Sequence, residues 1–191
     1  MKYKIYVFRH GQTYFNKNEI FTGWKDSRLT PLGIRQAKHL GKLLENKKIG
    51  LAIAISLSRS KDTLKYVLKY HPECKRVITD DRIIERNYGK LNGKKHSAII
   101  KKYGQWKFDL WHRGFDIKPP GGESFADVEI RVKEFIKALK VLIKKEKCNI
   151  AISASGNSIR LFKKIMEKSS KSEAVKWIVP YDDYLEYVIR A

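Results

Sequence analysis

The sequence predicts a three-layer α/β/α fold with a mainly parallel central sheet. Three observations carry the fold class. Short apolar strands alternate with amphipathic helices along the chain. Two of those strands run straight into a glycine-bearing loop that opens a helix. The 191 residues, 42% apolar and 32% charged, are enough for one substantial core and short for two.

The elements follow in order. Residues 4–8 (KIYVF) form a strand that ends at Arg9-His10-Gly11. Thr30-Pro31 starts a helix reaching about residue 47, because threonine caps and proline fits a first turn that needs no N–H. Leu32, Ala37, Leu40, Leu43 and Leu44 follow at helical spacing. A fully apolar strand is expected at 51–55, a second amphipathic helix at 60–70 and a strand at 76–79. Residues 94–103 read as helical, and the aromatic stretch containing Trp106, Phe108, Trp111 and Phe115 reads as irregular. After Pro119-Pro120-Gly121-Gly122 a long helix spans 123–145, with Phe125, Val128, Val132, Phe135, Leu139 and Leu142 inward. A strand at 149–153, a helix at 156–168, a helical turn at 173–178 and a strand at 184–190 complete the chain. No repeat or linker interrupts it, so 1–191 reads as a single domain, with 80–122 as an insertion that covers the substrate.

Forty-one Lys and Arg against twenty Asp and Glu give a net charge of +21. Such an excess steers anions inward. The lysines are spread along the chain rather than gathered in an arm, which argues for a solubilising surface and against a nucleic-acid partner. No stretch approaches the length of a membrane span, so no membrane partner is expected. The two cysteines, Cys74 and Cys148, stand far apart in sequence and match no metal-ligand spacing, which fits a reducing cytoplasm and no metal.

In a parallel sheet, ligands bind beyond the carboxyl ends of the strands. Two loops leave such ends: Arg9-His10-Gly11-Gln12-Thr13 and Ser155-Gly156-Asn157-Ser158. Glycine lets the backbone approach an anion, and the helix that follows offers free N–H groups. A histidine beside an arginine at that point suits attack on phosphorus: the imidazole is the nucleophile and the guanidinium balances the phosphoryl oxygens. By itself the tripeptide is a weak signal, and a solitary histidine after a strand is more often structural.

Further stretches occur in order: Asn16, then Phe21-Thr22-Gly23-Trp24, Ser58-Arg59, Glu85-Arg86-Asn87-Tyr88-Gly89, Trp111-His112-Arg113-Gly114-Phe115, and Gly156-Asn157-Ser158 with Arg160. With them the chain resembles the histidine phosphatase superfamily, in its cofactor-dependent phosphoglycerate mutase branch, nearly end to end. The resemblance implies an enzyme transferring phosphoryl groups on small phosphomonoesters, either a mutase or a phosphatase. It implies His10 as the phosphorylated nucleophile, Arg9, Asn16 and Arg59 as phosphoryl ligands, and Glu85 as proton donor. Thr22, Gly23, Arg86, Tyr88, Arg113, Gly156 and Asn157 would line the substrate side. A mutase would be primed by 2,3-bisphosphoglycerate, and a homodimer is the candidate assembly. The chemistry agrees: a neutral His10 needs its second nitrogen held by a backbone carbonyl, and the leaving alcohol needs a proton that a partly desolvated Glu85 can supply. On chain position alone, Glu85 could instead be a surface ion pair with Arg86.

The chain departs from the family at three places. The pattern puts a second histidine immediately before Gly-Asn-Ser, where this chain has Ser155. Losing one preorganised donor typically costs on the order of a hundred- to a thousandfold in rate. Three readings stay open: an engineered variant, a weak or inactive phosphate-binding homologue, or a working enzyme that compensates. The mutases usually carry a lysine at His96 and a pair of arginines at His112-Arg113, both contacting the acidic end of a phosphoglycerate. The short segment after Pro119-Pro120 looks like the phosphatases, whereas Phe21-Thr22-Gly23-Trp24 looks like the mutases.

Overall fold

The computed structural model describes residues 1–190. Its sheet has the order β3-β2-β4-β1-β5, with β1 Lys2–Arg9, β2 Leu51–Ala54, β3 Arg76–Thr79, β4 Ile150–Ala154 and β5 Tyr184–Arg190. β1, β2, β3 and β4 pair in parallel, and β5 runs antiparallel along β1. The strand assignments therefore hold, with ends moved by one or two residues.

Alternation along each strand builds the two faces. Ile5, Val7, Leu51, Ile53, Ile150 and Ile152 turn to one side and pack on α6 (Phe125–Glu146) and α7 (Gly156–Glu167). Tyr6, Phe8, Ala52, Ala54 and Ala151 turn to the other, beneath α2 (Pro31–Leu44) and α3 (Ser58–Leu68). The alanines on this second side let the two helices sit close. The fold is three-layered α/β/α, as expected. Within α6 the inward stripe runs Phe125, Val128, Val132, Phe135, Leu139 and Ile143, with Leu142 only half-buried.

Two local differences from the sequence reading affect the site. A short helix, α1 (Tyr14–Lys17), follows the His10 loop and is closed by a reciprocal Thr13–Asn16 capping box. The aromatic stretch is not irregular but helical: α4 is His96–Tyr103 and α5 is Gln105–Arg113. Gly104, at φ +83°, turns the chain between them in a region that favours glycine, so α5 restarts directly and stacks Phe108, Trp111 and His112 along one side. Phe21, Tyr88, Leu91, Ile99 and Phe108 form a small third core under this helical pair. The last helix, α8, is Lys171–Lys176.

Candidate active site

The first link is made by two glycines. A Cβ on Gly11 would lie 2.3 Å from the Gly33 carbonyl oxygen, and one on Gly33 would lie 2.1 Å from the Gln12 carbonyl oxygen. No side chain fits at either position, so the loop after β1 presses onto the start of α2. Thr63 of α3 accepts the Gly11 amide at 3.0 Å, and the His10 amide donates to Ala154 at 3.2 Å. His10 is thereby fixed between the ends of β1 and β4, and it is buried. Its Nδ1 lies 2.8 Å from the Gly11 carbonyl oxygen. A carbonyl can only accept, so Nδ1 carries the proton and Nε2 is left with a free lone pair. Burial, then Arg59 and Arg9, push the imidazole well below its usual pKa, so it is neutral at pH 7.

The two arginines are held differently. Arg59, in the first turn of α3, is fully buried and donates to the Lys25 and Gly23 carbonyls at 2.8 and 2.9 Å, which leaves its Nε unpartnered. A reciprocal pair of serine bonds, Ser60 to the Ser153 carbonyl and Ser153 to the Ser60 carbonyl, ties that turn to β4. Arg9 lies against the first residue of α7: a Cβ on Gly156 would be 3.2 Å from its Nε, which also has no partner. Its Nη1 donates to Val179 at 3.2 Å, and its guanidinium stacks 3.9 Å from the centre of the Tyr181 ring.

Glu85 is 8% exposed and accepts from the Arg86 backbone amide at 2.8 Å, so it is not a surface ion pair with the Arg86 guanidinium. Its loop is gripped from three sides. Trp24 donates to the Glu85 carbonyl at 2.8 Å, Arg131 of α6 reaches the carbonyls of Arg82, Ile84 and Glu85, and Ser158 bonds the Ile84 carbonyl.

A cavity of about 410 Å³ opens above these groups. Of the residues singled out in the sequence, Arg9, Asn16, Thr22, Glu85, Tyr88, His96, His112, Arg113, Gly156 and Asn157 line it. His10, Arg59 and Ser155 are buried and do not line it. Two expected substrate-side residues are not brought to the cavity. Gly23 contributes its carbonyl to Arg59. Arg86 is fully buried between the rings of Tyr88 and Phe125, at 4.5 and 4.3 Å, and donates to the carbonyls of Trp111 and His112. Its Nη2 ties it to the end of α5, while its Nε and Nη1 are buried without a partner. Ser155 caps α7 by position only: its Oγ is buried, makes no cap bond and has no partner.

The sequence reading named Arg160 only as part of the family pattern and missed Tyr181, and both line the cavity. Arg160 donates to Asn157 at 2.5 Å and to the Trp177 carbonyl at 2.7 Å. Burial, and then Arg113, lower its pKa to about 10, so it stays charged. Tyr181 arrives because β5 is antiparallel, which puts its leading loop at the carboxyl ends of the parallel strands. The direction of the last strand would have revealed it. Lys163, another basic side chain of α7, turns away to Glu167 and the Trp177 ring. Among the described residues no group of three or more His, Cys, Asp or Glu is placed to hold a metal, and no helix is long and apolar enough to cross a membrane.

The unpartnered, buried Nε–H groups of Arg9 and Arg59 near a neutral imidazole are donors able to balance an oxyanion. The sequence profile of the histidine phosphatase superfamily (branch 1) matches residues 5–184. The chain belongs to this superfamily. A 2,3-bisphosphoglycerate-dependent phosphoglycerate mutase of Nitrobacter hamburgensis is 34% identical over 176 residues, 90% of this chain and 84% of that protein. A phosphoglycerate mutase of Schizosaccharomyces pombe is 35% identical over 177 residues, 90% and 83%. A solved mycobacterial glucosyl-3-phosphoglycerate phosphatase superposes with a TM-score of 0.83 at 20% identity, covering 98% of this chain and 91% of that one. Phosphoglycerate mutase from Bacillus anthracis gives 0.79 at 22%, covering 99% and 88%. At these identities the structural likeness is one of fold. The chain is an enzyme of the histidine phosphatase superfamily.

Proposed function

We propose that the protein transfers phosphoryl groups of small phosphomonoesters through a phosphohistidine at His10. The observation that carries this is the bond from His10 Nδ1 to the Gly11 carbonyl, which leaves a buried, neutral Nε2 as the nucleophile. Nε2 forms the N–P bond as the P–O bond of the ester breaks, and Glu85 gives its proton to the departing alkoxide. Water or a second alcohol then attacks phosphorus, returning its proton to Glu85 and freeing His10. Arg9 and Arg59 would balance the charge on the transferring oxygens, with their orphaned Nε–H groups as the available donors. Asn16, Thr22, Tyr88, Arg113, Gly156 and Asn157 hold the rest of the ester at the cavity wall. Residues 80–122 supply Glu85, Tyr88, His96, His112 and Arg113 to that wall, which supports reading them as a substrate-covering part of one domain, 1–191.

Transfer to water makes the protein a phosphatase, and transfer to a second hydroxyl makes it a mutase. In the mutase case 2,3-bisphosphoglycerate would supply the priming phosphoryl group, and Arg9, Arg59 and Arg113, each with an unpartnered buried nitrogen, are the residues that would hold it. We place this chemistry in the cytoplasm, with a homodimer as the candidate assembly. One observation favours a second reading. The unpartnered Ser155 Oγ offers no cation beside His10, which fits a catalytically weak phosphate-binding homologue. Release of 4-nitrophenol from 4-nitrophenyl phosphate decides between them: turnover supports the enzyme, and phosphate binding without turnover supports the weak homologue.

A further inference from the structure

We infer that Arg131 is a positioning residue for Glu85: its guanidinium holds the stretch of backbone from which that carboxyl serves the leaving oxygen. This rests on reading Glu85 as the proton donor. The consequence is selective, because esters should depend on Arg131 in proportion to how much their leaving group needs a proton.

Residues 84–88 lie between two single-turn helices, Asp81–Ile83 and Gly89–Leu91, and belong to neither helix nor strand. Ile84, Glu85, Arg86 and Tyr88 are nonetheless buried. A buried backbone without a ladder of its own must find its hydrogen-bond partners elsewhere in the protein. Arg131 supplies several of them from α6. Its Nη1 donates to the carbonyls of Arg82 and Ile84, both at 2.8 Å, and its Nη2 to that of Glu85 at 3.1 Å. The other two N–H groups go to Glu123, from Nε at 3.1 Å and from Nη2 at 3.2 Å. Every donor of the fork is thereby used.

Glu123 extends the clamp past Glu85. Its carboxylate accepts the Asn87 amide at 2.8 Å, and its own amide donates to the Asn87 carbonyl at 2.8 Å. The loop is thus held on both sides of Glu85 by α6 and the residue just before its cap, and Val128, Val132 and Phe135 sink that helix into the main core. The Glu85 carboxylate takes its bond from the Arg86 amide, so its direction follows this backbone. Arg131 does not line the cavity, so it reaches a substrate only through the loop. A lysine is no replacement: one ammonium on a flexible stem lacks the planar fork that meets three carbonyls and a carboxylate together.

The test compares two esters that differ in one nitro group. 4-Nitrophenyl phosphate releases a stabilised anion that needs little protonation, whereas phenyl phosphate releases a more basic phenolate. kcat/KM is the quantity to read, since it covers the steps up to P–O cleavage and leaves out the later hydrolysis common to both. Arg131→Lys and Arg131→Met, each assayed below its Tm, should lower kcat/KM for phenyl phosphate at least about threefold more than for 4-nitrophenyl phosphate. Glu85→Gln should split the two esters in the same direction and more strongly, by about tenfold. Adding Arg131→Lys to Glu85→Gln should widen that split no further. Equal losses on both esters in the Arg131 variants, or no loss on either, while Glu85→Gln separates them, would overturn the inference and leave Arg131 a purely structural residue. If Glu85→Gln itself treats the two esters alike, the proton-donor reading has failed and the inference falls with it.

Discussion

The floor of the cavity and its outer wall are built on different principles. The floor is made of strand ends and first helical turns, where backbone geometry leaves little choice. His10 is set by β1 and β4, Arg59 by α3, and Ser155 by α7. The outer wall is made of side chains from a loop and two short helices, and what holds it is aromatic packing around Arg86. Floors of this kind specify a reaction, and walls of this kind specify a substrate. A substitution in one should therefore leave the other's property in place.

The largest effect should come from the floor. His10→Ala should abolish phosphoryl transfer, because it removes the nucleophile rather than a helper. With His10 gone, the identity of residue 155 should no longer matter, and a double-mutant comparison of rates checks this. Next is Ser155→His, which should raise the rate of 4-nitrophenyl phosphate hydrolysis by roughly a hundredfold if it restores one transition-state donor. Equal rates would mean that Arg160 already fills the role, since Lys163 faces away.

The wall should respond in stability. Arg86→Met leaves the Trp111 and His112 carbonyls without their donor and should cost about 1–3 kcal/mol in urea unfolding. The smallest effect depends on pH. A histidine held neutral in the fold binds no proton where the unfolded chain does, so stability is lost as pH falls below about 6.5. For His112, lowered to about 2, the loss should reach about 2 kcal/mol at pH 5. His112→Phe keeps a ring in the cluster and should remove His112's share of the pH 7-to-5 slope measured by urea unfolding, leaving that of His10 and His96.

The sequence made the floor legible because each residue sits at a fixed offset from a strand end. Arg9, His10 and Gly156 follow directly from where β1 and β4 stop. The wall was less legible, since its residues meet only after α4 and α5 fold against the loop bearing Phe21. The restart of a helix after Gly104 hid α5, and the same uncertainty hid that Arg86 points into an apolar slot rather than into the cavity. Tyr181 and the Val179 carbonyl were hidden by strand direction, which no periodicity reports.

Labelling His10 tests the central claim most directly. Protein mixed with a small phosphoryl donor and quenched in alkali should carry an acid-labile phosphoryl group on His10. Phosphorus–nitrogen NMR coupling should place that group on Nε2, because Nδ1 is committed to the Gly11 carbonyl. A label on Nδ1, on another residue, or absent from a protein that still hydrolyses the donor would contradict the account.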